Sequence, residues 1–277
     1  NPISFGAFLG DWTRYIPRES GGAKVIKAAF LSQIASLLPF VFGLVTTAII
    51  AEKAPEAFKN FDYVGGLLAT TPGWFLVPIL LLAIIGGMST CSTSLYGTGL
   101  DFSSVFPKLS RVQATVLIGI ISIALIFIGR FGYNLVTSVT TFVTLIIVCT
   151  TPWMVMMMIG FLHRRGHYLP DDLQVFNRGQ KGGAYWFKNG YNIGAIMIWL
   201  ISASLSLCFV NLPGQFVGPL GNFFNGLDIA LLVAVILPAA LYGLLLKITP
   251  EPSAIHGEKG ARFRAASNKP IAPIVNK

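Results

Sequence analysis

A run of hydroxyl side chains lies inside one of the most apolar segments of this chain. Positions 89 to 94 supply five hydroxyl groups, and the segment from Trp74 to Tyr96 around them is otherwise mostly hydrophobic. On a helix, the small and oxygen-bearing residues of this segment share one face: Gly86, Ser89, Thr90, Thr93 and Gly97. Hydroxyl and carbonyl oxygens are the ligands that hard cations prefer. Serine and threonine also join membrane helices through hydrogen bonds worth roughly 0.6 to 2 kcal/mol, so spacing alone favours an ion site and helix packing about equally.

The whole chain has the composition of a membrane protein. Of its 277 residues, 54% are hydrophobic and 11% are charged, and the mean hydropathy is +0.70, whereas about a quarter of the residues in soluble domains are charged. A bilayer core about 30 Å thick requires about 20 predominantly apolar residues per helix. Six segments meet this requirement: Val25 to Ala51, Trp74 to Tyr96, Val112 to Gly129, Tyr133 to Leu162, Tyr191 to Val210, and Leu227 to Leu246. The sequence therefore predicts an all-α, polytopic helical membrane protein.

Basic residues are distributed unevenly over the connections between these segments. All of the 20 lysines and arginines except Lys53, Lys59 and Arg130 fall on one predicted side. By the positive-inside rule that side is cytoplasmic. We therefore expect a multi-pass protein of the plasma membrane or bacterial inner membrane with a cytoplasmic C-terminus, in contact with the lipid bilayer and not with nucleic acid.

The chain divides into three parts by composition. Residues 1–10 resemble the end of a truncated transmembrane helix, and residues 11–246 hold the six further spans with short loops. Residues 247–277 form a basic tail rich in Pro, Ser, Ala and Gly, which is typical of a disordered segment. The apolar start without a methionine suggests that a larger polypeptide extends upstream.

Neither catalytic groups nor a resident cofactor are predicted. His163 and His167 have the helical spacing of a metal pair, but Arg164 and Arg165 between them would repel a cation, so a solvated helix flank is the favoured interpretation. The sequence shows no nucleophile, general base or metal cluster at one level of the membrane. This disfavours an enzyme.

The predicted spans hold no ionisable residue near their middles. Asp11, Asp101 and Asp228 all lie at predicted span ends. Intramembrane carboxylates and histidines form the proton relays of many pumps and transporters. Their absence favours coupling through neutral oxygen ligands to a metal cation, with Na⁺ expected and H⁺ as the alternative.

Three motifs, two of them made of two segments each, occur in the order found in one family. The segment from Asp11 to Arg18 resembles the Asp-aromatic-Ser/Thr-Arg-Tyr-Leu-Pro signature of the purine-cytosine permeases, also called nucleobase-cation symporters, with Ile16 in place of leucine. The segments that resemble later parts of the same family are Thr151 to Trp153, Arg164 to Tyr168, Tyr185 with Trp186, and Gly190 to Asn192.

The resemblance implies a fold of which this chain is a part. Members have twelve helices with a LeuT-like core of two inverted five-helix repeats, and this chain corresponds to the end of helix six through helix twelve. The implied fold is thus a partial LeuT-like inverted repeat, whose partners are the missing N-terminal helices.

The resemblance also implies a cation site on the predicted helix with the hydroxyl run. In sodium-coupled members, helix eight supplies oxygens from a small residue and from Ser or Thr three and four positions later. Gly86, Ser89 and Thr90 match this spacing, with a backbone carbonyl at Gly86 and hydroxyls at the other two. The remaining ligands would come from helix one. Thr93 and Ser94, one turn further on, are expected to face the substrate.

A planar substrate is implied by an aromatic residue that precedes the signature in relatives. Phe5 is the nearest match, with Ser4 and Gly6 beside it as further candidates. Stacking on a flat heterocycle adds roughly 0.5 to 1.5 kcal/mol beyond area burial. The alternative for Phe5 is ordinary packing or contact with lipid.

The sequence therefore predicts a secondary active transporter that moves a nucleobase or related planar heterocycle by cation symport. A LeuT-like carrier of another small solute, such as an amino acid, is the alternative within the same class. A membrane fragment that does not transport is the alternative of a different class, and the isolated 277 residues are expected not to transport.

Overall fold

The computed structural model describes residues 10, 13, 15–60, 62–106, 108–132, 135–214 and 216–276. Helices dominate these residues. In chain order they are α1 (Gly22–Ala35), α2 (Leu37–Lys53), α3 (Pro55–Lys59), α4 (Tyr63–Thr70), α5 (Leu76–Val105), α6 (Arg111–Gly132), α7 (Leu135–His163), α8 (Pro170–Leu173), α9 (Ile193–Cys208) and α10 (Ala230–Ile248). Short 3₁₀ turns occupy Arg18–Ser20, Gly73–Phe75 and Ser253–Ile255.

Four two-residue strands form two small antiparallel pairs within the described residues. The strands are β1 (Gln180–Lys181), β2 (Asn211–Leu212), β3 (Phe216–Val217) and β4 (Val275–Asn276). β1 pairs with β4, and β2 pairs with β3.

The protein is a polytopic helical membrane protein. Among the described residues, five helical segments are long and apolar enough to cross a bilayer: Gly22–Lys53, Gly73–Val105, Arg111–Gly129, Thr141–His163 and Ala230–Ile248. The sixth apolar helix, α9, has 16 residues and is therefore about 24 Å long. These helices overlap the six segments that the sequence predicts.

The first span is interrupted at Ser36, between α1 and α2. Pro39 follows in the first turn of α2 and has no N–H to donate to the carbonyl of Ala35, four residues earlier. The side chain of Ser36 donates to a different carbonyl, that of Gln33, at 2.7 Å. The change from α1 to α2 thus lies three residues before Pro39.

The described residues divide into two compact units, an N-terminal unit (Gly10–Leu125) and a C-terminal unit from Ile126 onward. In the N-terminal unit, α2, α3 and α4 pack on one another. Ile50 is buried against Gly66, where an added Cβ would lie only 2.4 Å from Cγ2 of Ile50. Asp62 caps α4 by accepting from the Gly65 amide at 2.8 Å.

The core of the C-terminal unit lies among α7, α9 and α10, which contact one another pairwise. Met156, Ile198, Tyr242 and Leu246 form its main buried cluster. The indole Nε1 of Trp199 donates to the carbonyl of Cys149 at 2.8 Å. This bond joins α9 to α7 one turn from Pro152, which lies inside α7.

The loop between α9 and α10 is closed by polar contacts. The side-chain amide of Asn211 donates to the carbonyls of Gly221 and Gly226 at 3.2 and 2.7 Å. The carboxylate of Asp228 accepts from the amides of Asn211 and Ala230 at 3.0 and 2.8 Å. Backbone amides in the loop also bond the last carbonyls of α9, including the Leu220 amide to the Cys208 carbonyl at 2.9 Å.

The segment after α10 differs from the disordered tail that its composition indicates. Glu251 pairs with Arg164, the Gly183 amide donates to the Ala272 carbonyl at 2.9 Å, and β4 adds to β1. Ile255 is 2% exposed. Arg164 is enclosed by the protein and needs a counter-ion, which Glu251 of this segment supplies.

Arg164 and His163 also differ from the solvated flank expected for them. Their exposures are 9% and 1%. Burial opposes the charge of Arg164, but the hydrogen bonds and negative charge of Glu251 outweigh it, so the pKa of Arg164 is raised above its ordinary value. For Tyr185, in contrast, burial itself raises the pKa, and its hydroxyl accepts from the Leu169 amide at 3.2 Å.

Candidate functional site

The hydroxyl run lies in the middle of α5, in helical conformation. Ser92 and Thr93 of the run, and Thr98 one turn beyond it, satisfy their own donors within the helix. Each donates at 2.8 Å to the carbonyl four residues earlier. This back-bonding lets hydroxyls exist in an apolar helix at little cost. Ser92 is therefore satisfied by Met88 and needs no other partner.

Ser89 and Thr90 differ from these three. Their hydroxyls have no hydrogen-bond partner among the described residues, and both residues are exposed, as is Gly86 on the same face. Unpaired hydroxyls are costly in contact with hydrocarbon. A polar neighbour on this face, such as an ion, water or a further helix, would remove that cost. The structure thus places Gly86, Ser89 and Thr90 on one helix face, and their binding of a cation stays a prediction.

Thr93 and Ser94, the candidate substrate residues, have different hydrogen-bonding capacities. Thr93 is half-buried, and its proton is used on the Ser89 carbonyl, so its oxygen can only accept a further hydrogen bond. Ser94 is exposed, and its hydroxyl has no partner within the described part of the chain. Ser94 can therefore both donate and accept a hydrogen bond.

Near the C-terminal end of α5, the small residues pack against a neighbouring helix, which is the alternative interpretation of this face. Gly97 and Gly99 are buried. An added Cβ at Gly99 would lie 2.2 Å from Oγ1 of Thr115 on α6, so these helices approach closely there. At Gly86 nothing lies within 4 Å of such a Cβ. One helix thus combines an open polar face with a tightly packed end.

The remaining predicted residues fall outside the described part of the chain. Ser4, Phe5 and Gly6 belong to residues 1–9, and Asp11 and Arg14 of the signature motif are likewise not described. The roles expected for Ser4, Phe5 and Gly6 stay predictions.

Tyr15 of the same motif contacts α5, a relationship that sequence reasoning did not find. Its hydroxyl lies 2.5 Å from that of Tyr96. The guanidinium of Arg111 lies 4.9 Å from the centre of the Tyr96 ring, within the range of a cation–π interaction. The signature motif is therefore connected to α5 only two residues beyond Ser94.

The C-terminal unit contains a separate cavity of about 640 Å³ between α7 and α9. Its lining residues are Cys149, Thr150, Trp153, Gly190, Tyr191, Asn192, Ala195, Ile196 and Trp199. The described substrate and cation candidates are not among them. The lining is mainly apolar, which matches lipid hydrocarbon better than a polar heterocycle, so we do not assign this cavity as the substrate site.

Comparison with known proteins identifies the family. The family model for permeases of cytosine and purines, uracil, thiamine and allantoin matches residues 1–234. The chain belongs to this permease family. Membership points to a transporter rather than an enzyme, as the sequence motifs indicated.

One curated relative has a name that fits this membership. The chain is 21% identical over 265 residues to the protein named "Putative purine-cytosine permease YxlA" of Bacillus subtilis (strain 168). The aligned region covers 93% of this permease-family chain and 54% of the relative. The chain thus spans about half the length of the curated relative it matches. The comparison with solved structures gave no significant match.

Proposed function

We propose that this chain is part of a secondary active transporter that carries a nucleobase or related planar heterocycle by cation symport. The family match over residues 1–234 is the observation that supports it most strongly. The membrane-spanning helices and the open polar face of α5 agree with a carrier. In such carriers, alternating access moves one group of helices against the other around a site near the bilayer midplane.

The proposed coupling ion is Na⁺, held in part by the carbonyl of Gly86 and the hydroxyls of Ser89 and Thr90. All three groups are neutral oxygen donors on one exposed helix face. The acidic residue of α5 is Asp101, eleven positions beyond Thr90 and so about 16 Å away along the helix axis. Proton coupling at this face would lack a titratable group there, which supports the metal cation.

The proposed substrate contacts are Ser94 as donor and acceptor and Thr93 as acceptor, with Phe5 stacking on the ring beside Ser4 and Gly6. One hydroxyl that only accepts and one that both donates and accepts can distinguish bases by the order of donors and acceptors on their edges. A LeuT-like carrier of another small solute is the competing function. It would use the same cation face with a different substrate.

Uptake measurements test the proposal directly. In cells that produce the transporter, radiolabelled cytosine, adenine, uracil, hypoxanthine, allantoin and thiamine are supplied with and without a sodium gradient. We expect one of these heterocycles to accumulate only with the gradient. Accumulation of an amino acid in their place would favour the competing function, and uptake driven by a pH gradient without sodium would contradict sodium coupling.

Substitutions on α5 test the residues. Ser89→Ala and Thr90→Ala should each raise the sodium concentration for half-maximal uptake about tenfold, which corresponds to about 1.4 kcal/mol of binding free energy. Ser92→Ala is the matched control, because the Ser92 hydroxyl is satisfied by Met88, and it should leave the sodium dependence unchanged. The cation assignment is wrong if all three variants behave alike.

A further inference from the structure

Two imidazoles and a carboxylate meet inside the C-terminal unit. His163 ends α7, whereas Glu251 and His256 belong to the segment after α10. One candidate ligand atom from each residue lies within 4.8 Å of the other two. Nε2 of His256 lies 4.0 Å from Oε2 of Glu251. The two imidazole rings are nearly perpendicular, at 82°, with their centres 5.1 Å apart.

His256 is buried without hydrogen bonds. Both of its ring nitrogens are enclosed and have no partner among the described residues, and the residue is 8% exposed. A neutral imidazole has one donor and one acceptor nitrogen. Leaving such groups buried and unpaired costs about 1 to 3 kcal/mol each. The described side chains around His256 therefore leave both of its ring nitrogens without a bonding partner.

We propose that His163, Glu251 and His256 bind a transition-metal dication of the zinc class. Two histidines and a carboxylate are a recurrent ligand set for Zn²⁺. Imidazole nitrogens favour Zn²⁺, Ni²⁺ or Co²⁺ over Mg²⁺ and Ca²⁺, which take oxygen ligands. Three protein ligands leave the fourth position of a tetrahedral ion for water.

The neighbouring charges set the strength of this site. Arg164 donates to both carboxylate oxygens of Glu251, including Nε to Oε2 at 3.0 Å. With neutral histidines, Arg164 and Glu251 cancel, so the ion enters a cluster without excess negative charge. We therefore expect an affinity well below that of a structural zinc site made of four thiolates.

The backbone of Phe263 restricts the tautomer of His163 before a metal binds. Its amide N–H lies 3.4 Å from Nδ1 of His163, at the long end of a hydrogen bond. An accepting Nδ1 places the proton of the neutral ring on Nε2. Ligation through Nδ1 keeps this tautomer and displaces the amide, whereas ligation through Nε2 moves the proton to Nδ1 and turns it against the amide N–H. Metal binding thus gives up one weak hydrogen bond and forms bonds to three protein ligands.

The ion would join two parts of the C-terminal unit that are distant in sequence. It would connect the end of α7 to the segment after α10, where the Arg262 amide already donates to the His163 carbonyl at 2.9 Å. Bound metal should therefore stabilise this segment against unfolding or proteolysis.

Metal titration of the purified 277-residue chain in detergent tests the site. The chain carries no polyhistidine tag and is first treated with EDTA and desalted. We expect one Zn²⁺ per chain by calorimetry, a rise in the apparent melting temperature, and a visible Co²⁺ spectrum of tetrahedral type. Absence of saturable binding by the folded wild-type chain would overturn the proposal.

Substitution of the ligands separates this site from incidental binding at the surface. His256→Gln and His163→Gln should each weaken Zn²⁺ binding at least about a hundredfold, since even outer-shell changes cost about 10- to 100-fold. His167→Gln is the matched control, because Nδ1 of His167 bonds the Ile255 carbonyl at 3.0 Å outside the cluster. If either His256→Gln or His163→Gln does not fold, the Zn²⁺ affinity of the other variant tests the site. Equal binding by the control and a folded ligand variant refutes the site.

Discussion

The guanidinium of Arg164 and the carboxylate of Glu251 form a two-point ion pair across 87 residues of sequence. Each side chain is only 10% exposed. The pair joins the loop after α7 to the segment after α10, and Tyr168 and Tyr185 lie beside the guanidinium. Separating the two segments would leave each of these enclosed charges without its partner. The ion pair therefore holds the segments together.

Removing one partner of this pair should be strongly destabilising. We expect Glu251→Gln to cost about 3 to 5 kcal/mol, because it leaves the Arg164 charge buried without its counter-ion. The measurement is the melting temperature of the purified chain in detergent with EDTA. Asp171→Asn is the control, since the Asp171–Arg178 pair is exposed and should contribute about 0 to 1 kcal/mol. Equal effects of the two changes would contradict the buried pair.

Gly99→Ala should disturb the contact between α5 and α6. The new Cβ would lie 2.2 Å from Oγ1 of Thr115 and 3.5 Å from its Cα, so a side chain or helix must move. Overpacking of this kind costs about 1 to 3 kcal/mol. Gly87→Ala on the same helix is the control, because nothing lies within 4 Å of its Cβ. A lower melting temperature for the Gly99 variant alone is the expected result.

Trp199→Phe should loosen the contact between α7 and α9. The change keeps an aromatic ring but removes the N–H that donates to the Cys149 carbonyl. We expect a loss of about 1 kcal/mol, the usual net value of one hydrogen bond. Hydrogen exchange around 149–153 should become faster in the variant. Trp153→Phe, at a more exposed position of the same cavity, should show a smaller change, and the reverse order would contradict the bond.

Acid should weaken the segment after α10 even without metal. Burial lowers the pKa of His256, although the charge of Glu251 partly offsets this; His163, Arg164 and His167 add to the lowering. The unfolded chain therefore binds the proton more readily, so the stabilising contribution is present above about pH 6.5 and is lost as the pH falls through the lower folded value. Limited proteolysis of the tail in EDTA, between pH 7.5 and 5, measures this loss.

The matching variant is His256→Gln, which cannot titrate in this range. Its tail cleavage should depend less on pH than that of the wild-type chain. An identical increase of cleavage on acidification in both chains would assign the effect to other groups.

The sequence predicted the long helices well because length and apolar composition decide them. α6 and α10 each coincide with a mostly apolar run, and α5 does so apart from its hydroxyl groups, so the bilayer requirement leaves little choice of structure. The Ser89 and Thr90 face was also found in advance, since helical spacing fixes which residues share a face.

The packed segment after α10 was not predicted, because average composition does not reveal a single pairing. Glu251 stands among Pro, Thr and Ser residues that are typical of disorder, and only its contact with Arg164 gives it a structural role. His163 was compared with His167, four positions away, whereas its neighbour in space is His256. Contacts between residues so far apart in the chain leave no periodic signal.

The length of α9 has a consequence for the surrounding lipid. At about 24 Å the helix is roughly 6 Å shorter than the hydrocarbon core of a typical bilayer. The loop that follows has its backbone groups bonded to the end of α9, and it exposes the apolar side chains of Phe216, Phe223 and Phe224. Because irregular backbone is not found in hydrocarbon exposed to lipid, we expect the exposed aromatic side chains, and not the loop backbone, to extend toward the acyl region. If α9 spans the membrane, we expect its mismatch to be met by local thinning of the bilayer and by these flanking aromatic side chains, at a cost of fractions of a kcal/mol per ångström.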